Sequence, residues 1–291
     1  MKKIIVTGAT GLIGSHVIDV LSQNSQIYAV SRSLIDRPHK NVSHLQLDFL
    51  GETNLAALPK SADAIIYLAQ SDDFRDFPEK SLNIFDINVK SVMAFLEYGR
   101  RAGIKKFILA STGGVYNKTN RILRESDSIK QAELQNFYSA TKICSEILTS
   151  QFLPFFDITI LRYFFVYGSN QKSEMLVPRL IKNIKSGIPI HLVGSEGVVI
   201  NPIYVCDACM ATIKALELEG FNIINVAGPQ QISIKQMCVA IGSALNKKPQ
   251  FNVSEALKPE KFVADICKMT NLLHHPVYRF ENAVSIMVEP T

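Results

Sequence analysis

No stretch of this chain holds the roughly 18 consecutive apolar residues that a membrane-spanning helix needs, and Met1-Lys2-Lys3 leads into a short strand-like run rather than the apolar core of a secretory signal. The expectation is a cytoplasmic protein without a membrane partner. A disulfide framework is also missing: the five cysteines, Cys144, Cys206, Cys209, Cys238 and Cys267, are odd in number and irregular in spacing, which suits a reducing compartment. Cys206 and Cys209 form one C-x-x-C pair, but zinc needs a second pair or nearby histidines. His16, His39, His44, His191, His274 and His275 show no such spacing. The two cysteines therefore read as packing residues at a helix start, His274-His275 before Pro276 as a surface turn, and no metal is expected. Lysine and arginine are scattered, with no basic run interleaved with aromatics, so the formal net charge of +5 does not argue for nucleic acid. Repeats, low-complexity segments and a flexible linker are absent as well.

What the chain does have is 291 residues, 47% of them hydrophobic, enough for one large or two modest cores. Apolar runs rich in Ile, Val and Leu recur near 4–6, 26–30, 44–47, 63–69, 106–110 and 157–161, separated by helical spacing near 12–23, 83–102 and 137–151. Strands alternating with helices imply an α/β fold with a doubly wound parallel sheet covered on both faces. The unbroken apolarity of Ala64-Ile65-Ile66-Tyr67-Leu68-Ala69 and Phe107-Ile108-Leu109-Ala110 marks central strands. Arg100, Arg101 and then Gly103 predict a helix end there. Beyond about residue 165 the pattern loosens into helices near 175–186, 206–218 and 233–246 and strands near 190–193 and 222–226, read as a smaller mixed lobe. Ser233 with Gln236 predicts a capping box. The expected division is residues 1–165 and 166–291 with an interleaved boundary, and a ligand cleft between them at the carboxyl ends of the strands.

Three constellations carry chemistry. Thr7-Gly8-Ala9-Thr10-Gly11-Leu12-Ile13-Gly14 follows the apolar Ile4-Ile5-Val6 and opens a helical segment, the arrangement that seats a dinucleotide pyrophosphate on free helix amides. Tyr138-Ser139-Ala140-Thr141-Lys142 puts a phenol and an ammonium on one helix face. A phenol of ordinary pKa near 10 is a poor base, and bringing it near 7 requires roughly 4 kcal/mol of preference for the phenolate. A fixed ammonium with an oxidised nicotinamide nearby supplies that kind of preference. Thr112, after the fifth strand, offers a hydroxyl to a substrate oxygen.

In this order these elements resemble the extended short-chain dehydrogenase/reductase superfamily, in particular its NAD-dependent epimerase/dehydratase branch, over nearly the whole chain. The glycine turn is similar to that family's TGxxGxxG, and YSATK to its YxxxK. Further likenesses are YLAQ from Tyr67, DINVKS around Asn88, ILRYFFVYG from Ile160, IYVCDA from Ile203 and NVAGPQQIS from Asn225. The resemblance implies a Rossmann-type sheet holding NAD(P), with Tyr138 as acid/base, Lys142 lowering its pKa and holding the nicotinamide ribose, and Thr112 orienting a sugar-type substrate. It also implies cofactor contacts at Gly8, Thr10, Gly11, Leu12, Ile13, Gly14, Ser31, Arg32, Asp48, Phe49, Leu68, Ala69, Gln70, Asn88, Tyr138, Lys142 and Phe165. A homodimer through the helices near 83–102 and 137–151 is implied as well.

Four departures shape the reading. Ser31-Arg32-Ser33 stands where NAD-preferring members carry an acid, and a guanidinium suits a 2′-phosphate, so NADP is favoured over NAD. Phe165 stands where members acting on nucleoside-diphosphate sugars have Asn, and Ile200-Asn201-Pro202 where they have an Arg-containing motif. Either Arg179 or Lys182 takes over the diphosphate, or the substrate is not a standard nucleotide sugar. Gly113-Gly114 lacks the acidic pair of the sugar dehydratases. The expectation is an NAD(P)-dependent nucleotide-sugar 4-ketoreductase or 4-epimerase. Its alternatives are a non-catalytic NADP-binding redox sensor, or a reductase of a substrate other than a nucleotide sugar.

Overall fold

The computed structural model describes residues 1–34, 40–51, 53–117, 120–130, 134, 136–254 and 260–288. In chain order the elements are β1 (Lys2–Thr7), α1 (Leu12–Leu21), β2 (Ser25–Ser31), β3 (Val42–Gln46), β4 (Ala64–Tyr67), α2 (Ser81–Phe85), α3 (Ser91–Arg101), β5 (Lys106–Thr112), α4 (Phe137–Ser150) and β6 (Asp157–Tyr163). They continue with α5 (Leu176–Lys185), β7 (Ile190–Val193), β8 (Val199–Ile200), α6 (Val205–Lys214), β9 (Phe221–Val226), β10 (Ile232–Ser233), α7 (Ile234–Leu245), β11 (Phe251–Ser254), β12 (Lys261–Phe262), α8 (Cys267–Leu272) and α9 (Phe280–Val288). By internal contacts the chain forms two compact units: described residues of Met1–Asn117, Ser128–Arg162 and Cys209–Ile224, and of Lys118–Asp127, Tyr163–Ala208 and Asn225–Thr291.

The first unit is built on a seven-stranded sheet of order β3-β2-β1-β4-β5-β6-β9. β1 pairs in parallel with β2 on one side and β4 on the other, and β2–β3 and β4–β5 are parallel too. The chain thus winds outward from β1 in one direction, then crosses back and winds in the other. That reversal opens a crevice at the carboxyl ends of β1 and β4, the place where open α/β sheets bind ligands. Burial on both faces explains the apolar runs: all of β4 is buried, as are Phe107, Ile108 and Leu109 of β5. Beside the sheet, Phe95 meets Phe49 and Tyr67 edge-on at 5.4 and 5.5 Å between ring centres.

Two expectations are corrected here. The helix expected over 83–102 is interrupted by a π turn at Asp86–Lys90 between α2 and α3, which turns Asn88 into the interior. The strand expected near 222–226 in the smaller lobe is the seventh strand of the main sheet. Its start is tied beside β6, where the Gly220 amide donates to Asp157 Oδ1 at 2.7 Å and the Ile158 amide to the Gly220 carbonyl at 2.8 Å.

The second unit carries a three-stranded sheet β10-β8-β12 and the parallel pair β11-β7, with α7 packed against α5 and α9. The capping box at the start of α7 is formed: Ser233 Oγ accepts from the Gln236 amide at 3.1 Å, and Gln236 Oε1 from the Ser233 amide at 2.9 Å. His274 is not simply a turn residue. Its Nε2 lies 2.8 Å from Oδ1 of the buried Asp207, whose carboxylate also accepts the Val277 and Tyr278 amides. His39 lies outside the described residues, and no described helix is long and apolar enough to cross a membrane.

Candidate active site

The glycine turn sits at the carboxyl end of β1. Gly8 has φ +66°, a conformation that favours glycine, and its carbonyl accepts from the Gly11 amide at 2.9 Å. A Cβ on Gly14 would lie 2.2 Å from that same carbonyl oxygen, so α1 can start this close to the strand only with glycine there. Gly11 caps α1 without any side-chain hydrogen bond, leaving the amides of the first turn to an incoming anion. Thr10 and Gly11 are exposed, and Leu12 and Ile13 half-buried. This cradle fits a pyrophosphate. Thr7, which opens the motif but was given no role of its own from sequence, is fully buried, and its Oγ1 accepts from the Leu68 and Ala69 amides at 3.1 Å each, fixing the loop after β4 against the turn.

At the ends of β2 and β3 the expected residues behave differently from one another. Ser31 is buried, donates to the Ser33 carbonyl at 2.8 Å and lies 2.9 Å from His44 Nε2, so its hydroxyl is already engaged. Arg32 is exposed and pairs with Asp72, Nη2 to Oδ2 at 2.5 Å. Asp48 is exposed, its Oδ1 accepting the Leu50 amide at 3.1 Å. The Phe49 ring belongs to the core with Tyr67 and Phe95, which leaves its backbone for a ligand.

The ends of β4, β5 and the first turn of α4 converge on Tyr138. Its phenol donates to Gln70 Oε1 at 3.0 Å, is hydrogen-bonded to Thr112, and its ring lies 5.4 Å from that of Phe74. Thr112 also accepts the Gly114 amide at 3.1 Å, which pins the turn after β5. Asn136 caps α4, accepting the Ser139 amide at 2.8 Å, and so sets where the helix and its Tyr138 begin. Lys142 follows one turn later and is 2% exposed. Burial pushes the Tyr138 phenol up, opposed by the Thr112 hydrogen bond, and pulls the Lys142 ammonium down to about 8, opposed by the charge of Glu146.

Asn88 is turned into the interior. It is 0% exposed, its Oδ1 accepts the Ser71 amide and its Nδ2 donates to Thr141 Oγ1, both at 3.0 Å. It positions the loop after β4 against α4. Beneath Lys142 lies a buried ion pair. Arg162 of β6 donates through Nε and Nη2 to Glu146 at 3.0 and 2.6 Å and through Nη1 to Tyr116 Oη at 2.9 Å, while Ser111 donates to the same carboxylate. A lone arginine in the buried run Ile160-Leu161-Arg162-Tyr163 and a glutamate four residues past Lys142 were the signals for this network.

In the second unit, Phe165 has φ +46°, is 39% exposed and meets Phe262 edge-on at 5.8 Å. Asn201 is buried and commits its amide to the Ala264 backbone, donating to the carbonyl and accepting from the amide at 3.0 Å each. Neither residue presents a free donor to an anion. Among the described residues no group of His, Cys, Asp and Glu is arranged to hold a metal.

The sequence model of the NAD dependent epimerase/dehydratase family matches residues 4–227. Over 93% of this chain and 90% of the other, the sequence is 29% identical to a UDP-glucuronate 4-epimerase of Thermodesulfobacterium geofontis (strain OPF15). It is 22% identical to a dTDP-4-dehydro-6-deoxy-D-allose reductase of a Streptomyces species, over 94% and 90% of the two chains. Among solved structures, UDP-glucuronic acid 4-epimerase from Bacillus cereus in complex with NAD superposes with a TM-score of 0.86 at 26% identity, covering 98% of this chain and 95% of that one.

Proposed function

We propose, on the premise that the chain belongs to the NAD dependent epimerase/dehydratase family, that it is a nucleotide-sugar 4-epimerase or 4-ketoreductase whose first unit seats the dinucleotide and whose second receives the sugar. The observation that carries this reading is the convergence of Tyr138, Thr112 and Gln70 at the strand ends, with Lys142 one helical turn on. A bound nicotinamide dinucleotide supplies the hydride acceptor or donor. Tyr138 moves the proton of the reacting hydroxyl, Thr112 holds that oxygen, and Lys142 supports the phenolate. In the free protein burial keeps the proton on Tyr138, which suits it as an acid; acting as a base requires added positive charge beside the phenol. A substrate diphosphate would fall to Arg179 or Lys182 of α5, both exposed.

We read the cofactor as NADP, because Arg32 rather than an acid follows β2. NADPH is expected to bind more tightly than NADH, with the margin largely lost in Arg32→Ala; equal affinities in titrations of the wild type overturn the NADP reading. Mass spectrometry of nucleotide released on denaturation tests the reaction class. Retained NAD marks an epimerase that recycles its cofactor, an empty site a reductase that draws on a cytoplasmic pool.

The reading extends to a homodimer through the helices of 83–102 and 137–151, which expose Phe85 and Ile147. Sedimentation equilibrium is expected to give the mass of two chains, and a single-chain mass at micromolar concentration rejects the dimer.

A further inference from the structure

We propose that Asp72 narrows the margin by which this protein favours the phosphorylated dinucleotide, by holding Arg32 when no dinucleotide is bound. The inference rests on the reading of the glycine turn as the dinucleotide seat. Arg32 is the first residue past β2, and Asp72 lies in the loop after β4. These strands flank β1 on its two sides, so the ion pair between them reaches across the end of β1, where the glycine turn begins. With strands spaced about 4.8 Å apart, that is a span of roughly 10 Å closed by two side chains.

Both ends are anchored. The Arg32 carbonyl accepts from Gln46 Nε2 at 2.9 Å. On either side of Asp72, the Ser71 amide donates to the buried Asn88 and Asp73 accepts from Asn83 Nδ2, both at 3.0 Å. The carboxylate is therefore held at the guanidinium by a fixed loop. The pair itself stands in water, with the two side chains 52% and 47% exposed, so a better anion can exchange for it at small cost. A ribose 2′-phosphate is such an anion, carrying more charge and matching the guanidinium fork, whereas a 2′-hydroxyl brings no charge to the exchange. Asp72 thus opposes the phosphorylated cofactor twice, by occupying Arg32 and by repelling the phosphate, and leaves the unphosphorylated one nearly unaffected.

The test is equilibrium titration of wild type, Asp72→Asn, Arg32→Ala and the double variant with NADPH and with NADH, read by nicotinamide fluorescence. Asp72→Asn is expected to tighten NADPH roughly two- to fivefold, the range of an exposed ion pair, and to leave NADH unchanged. In the Arg32→Ala background the gain shrinks. An unchanged NADPH-to-NADH ratio in Asp72→Asn, or an equal gain in both backgrounds, overturns the proposal. A wild type that binds neither dinucleotide fails earlier, at the seat itself, and takes the proposal down with it; NADH binding in each variant shows that its seat is folded.

Discussion

Tyr138→Phe is expected to bind dinucleotide as the wild type does and to lose kcat by about 10²–10⁴, the contribution typical of a positioned acid/base group. The substitution removes one oxygen, the one that donates to Gln70 at 3.0 Å and meets Thr112, and keeps the ring that lies against Phe74. The shape of the site persists while its proton carrier is gone. Lys142, one helical turn further on and buried, does not occupy the position of the lost oxygen. Turnover of a sugar nucleotide used by the wild type, measured beside dinucleotide titrations, decides the matter: unchanged turnover removes Tyr138 from the mechanism.

Arg162→Met is expected to destabilise the fold by about 3–5 kcal/mol, because it leaves the Glu146 carboxylate charged and enclosed. Both members of the pair are 4% exposed, and Arg162 supplies two of the three hydrogen bonds to Glu146 that come from Arg162 and Ser111 together. Adding Glu146→Gln removes the stranded charge and is expected to recover part of the loss, as Ser111 still has an acceptor. Urea unfolding of the three proteins reads this directly. A double variant no more stable than Arg162→Met would show that the enclosed charge is not the source of the damage.

Much of the main sheet was legible because a strand covered on both faces has little choice but to be apolar throughout; β4 is the clearest instance. The second unit was less so. β8, β10 and β12 are two residues each, too short to show any periodicity, and they exist because neighbouring chain supplies their partners. At the candidate site, the helical spacing of Tyr138 and Lys142 was readable, since i and i+4 share a face whatever surrounds them. The contacts of Asn88 and Phe49 were not. A π turn rotates one inward, and an aromatic cluster claims the other, and neither event leaves a mark in local sequence. Arg32 and Asp72 are 40 residues apart and meet only because two strands flank a third.

The last strand of the main sheet has a consequence for a chain leaving the ribosome. β9 lies beside β6, yet residues 164–220 are made between them. At roughly 5–20 residues per second, the nascent protein carries the open edge of β6 for several seconds before its neighbour emerges. During that interval the edge offers unpaired backbone groups to any other strand in reach. Chaperone demand and losses to aggregation during synthesis should therefore concentrate in the window before residue 226 clears the exit tunnel.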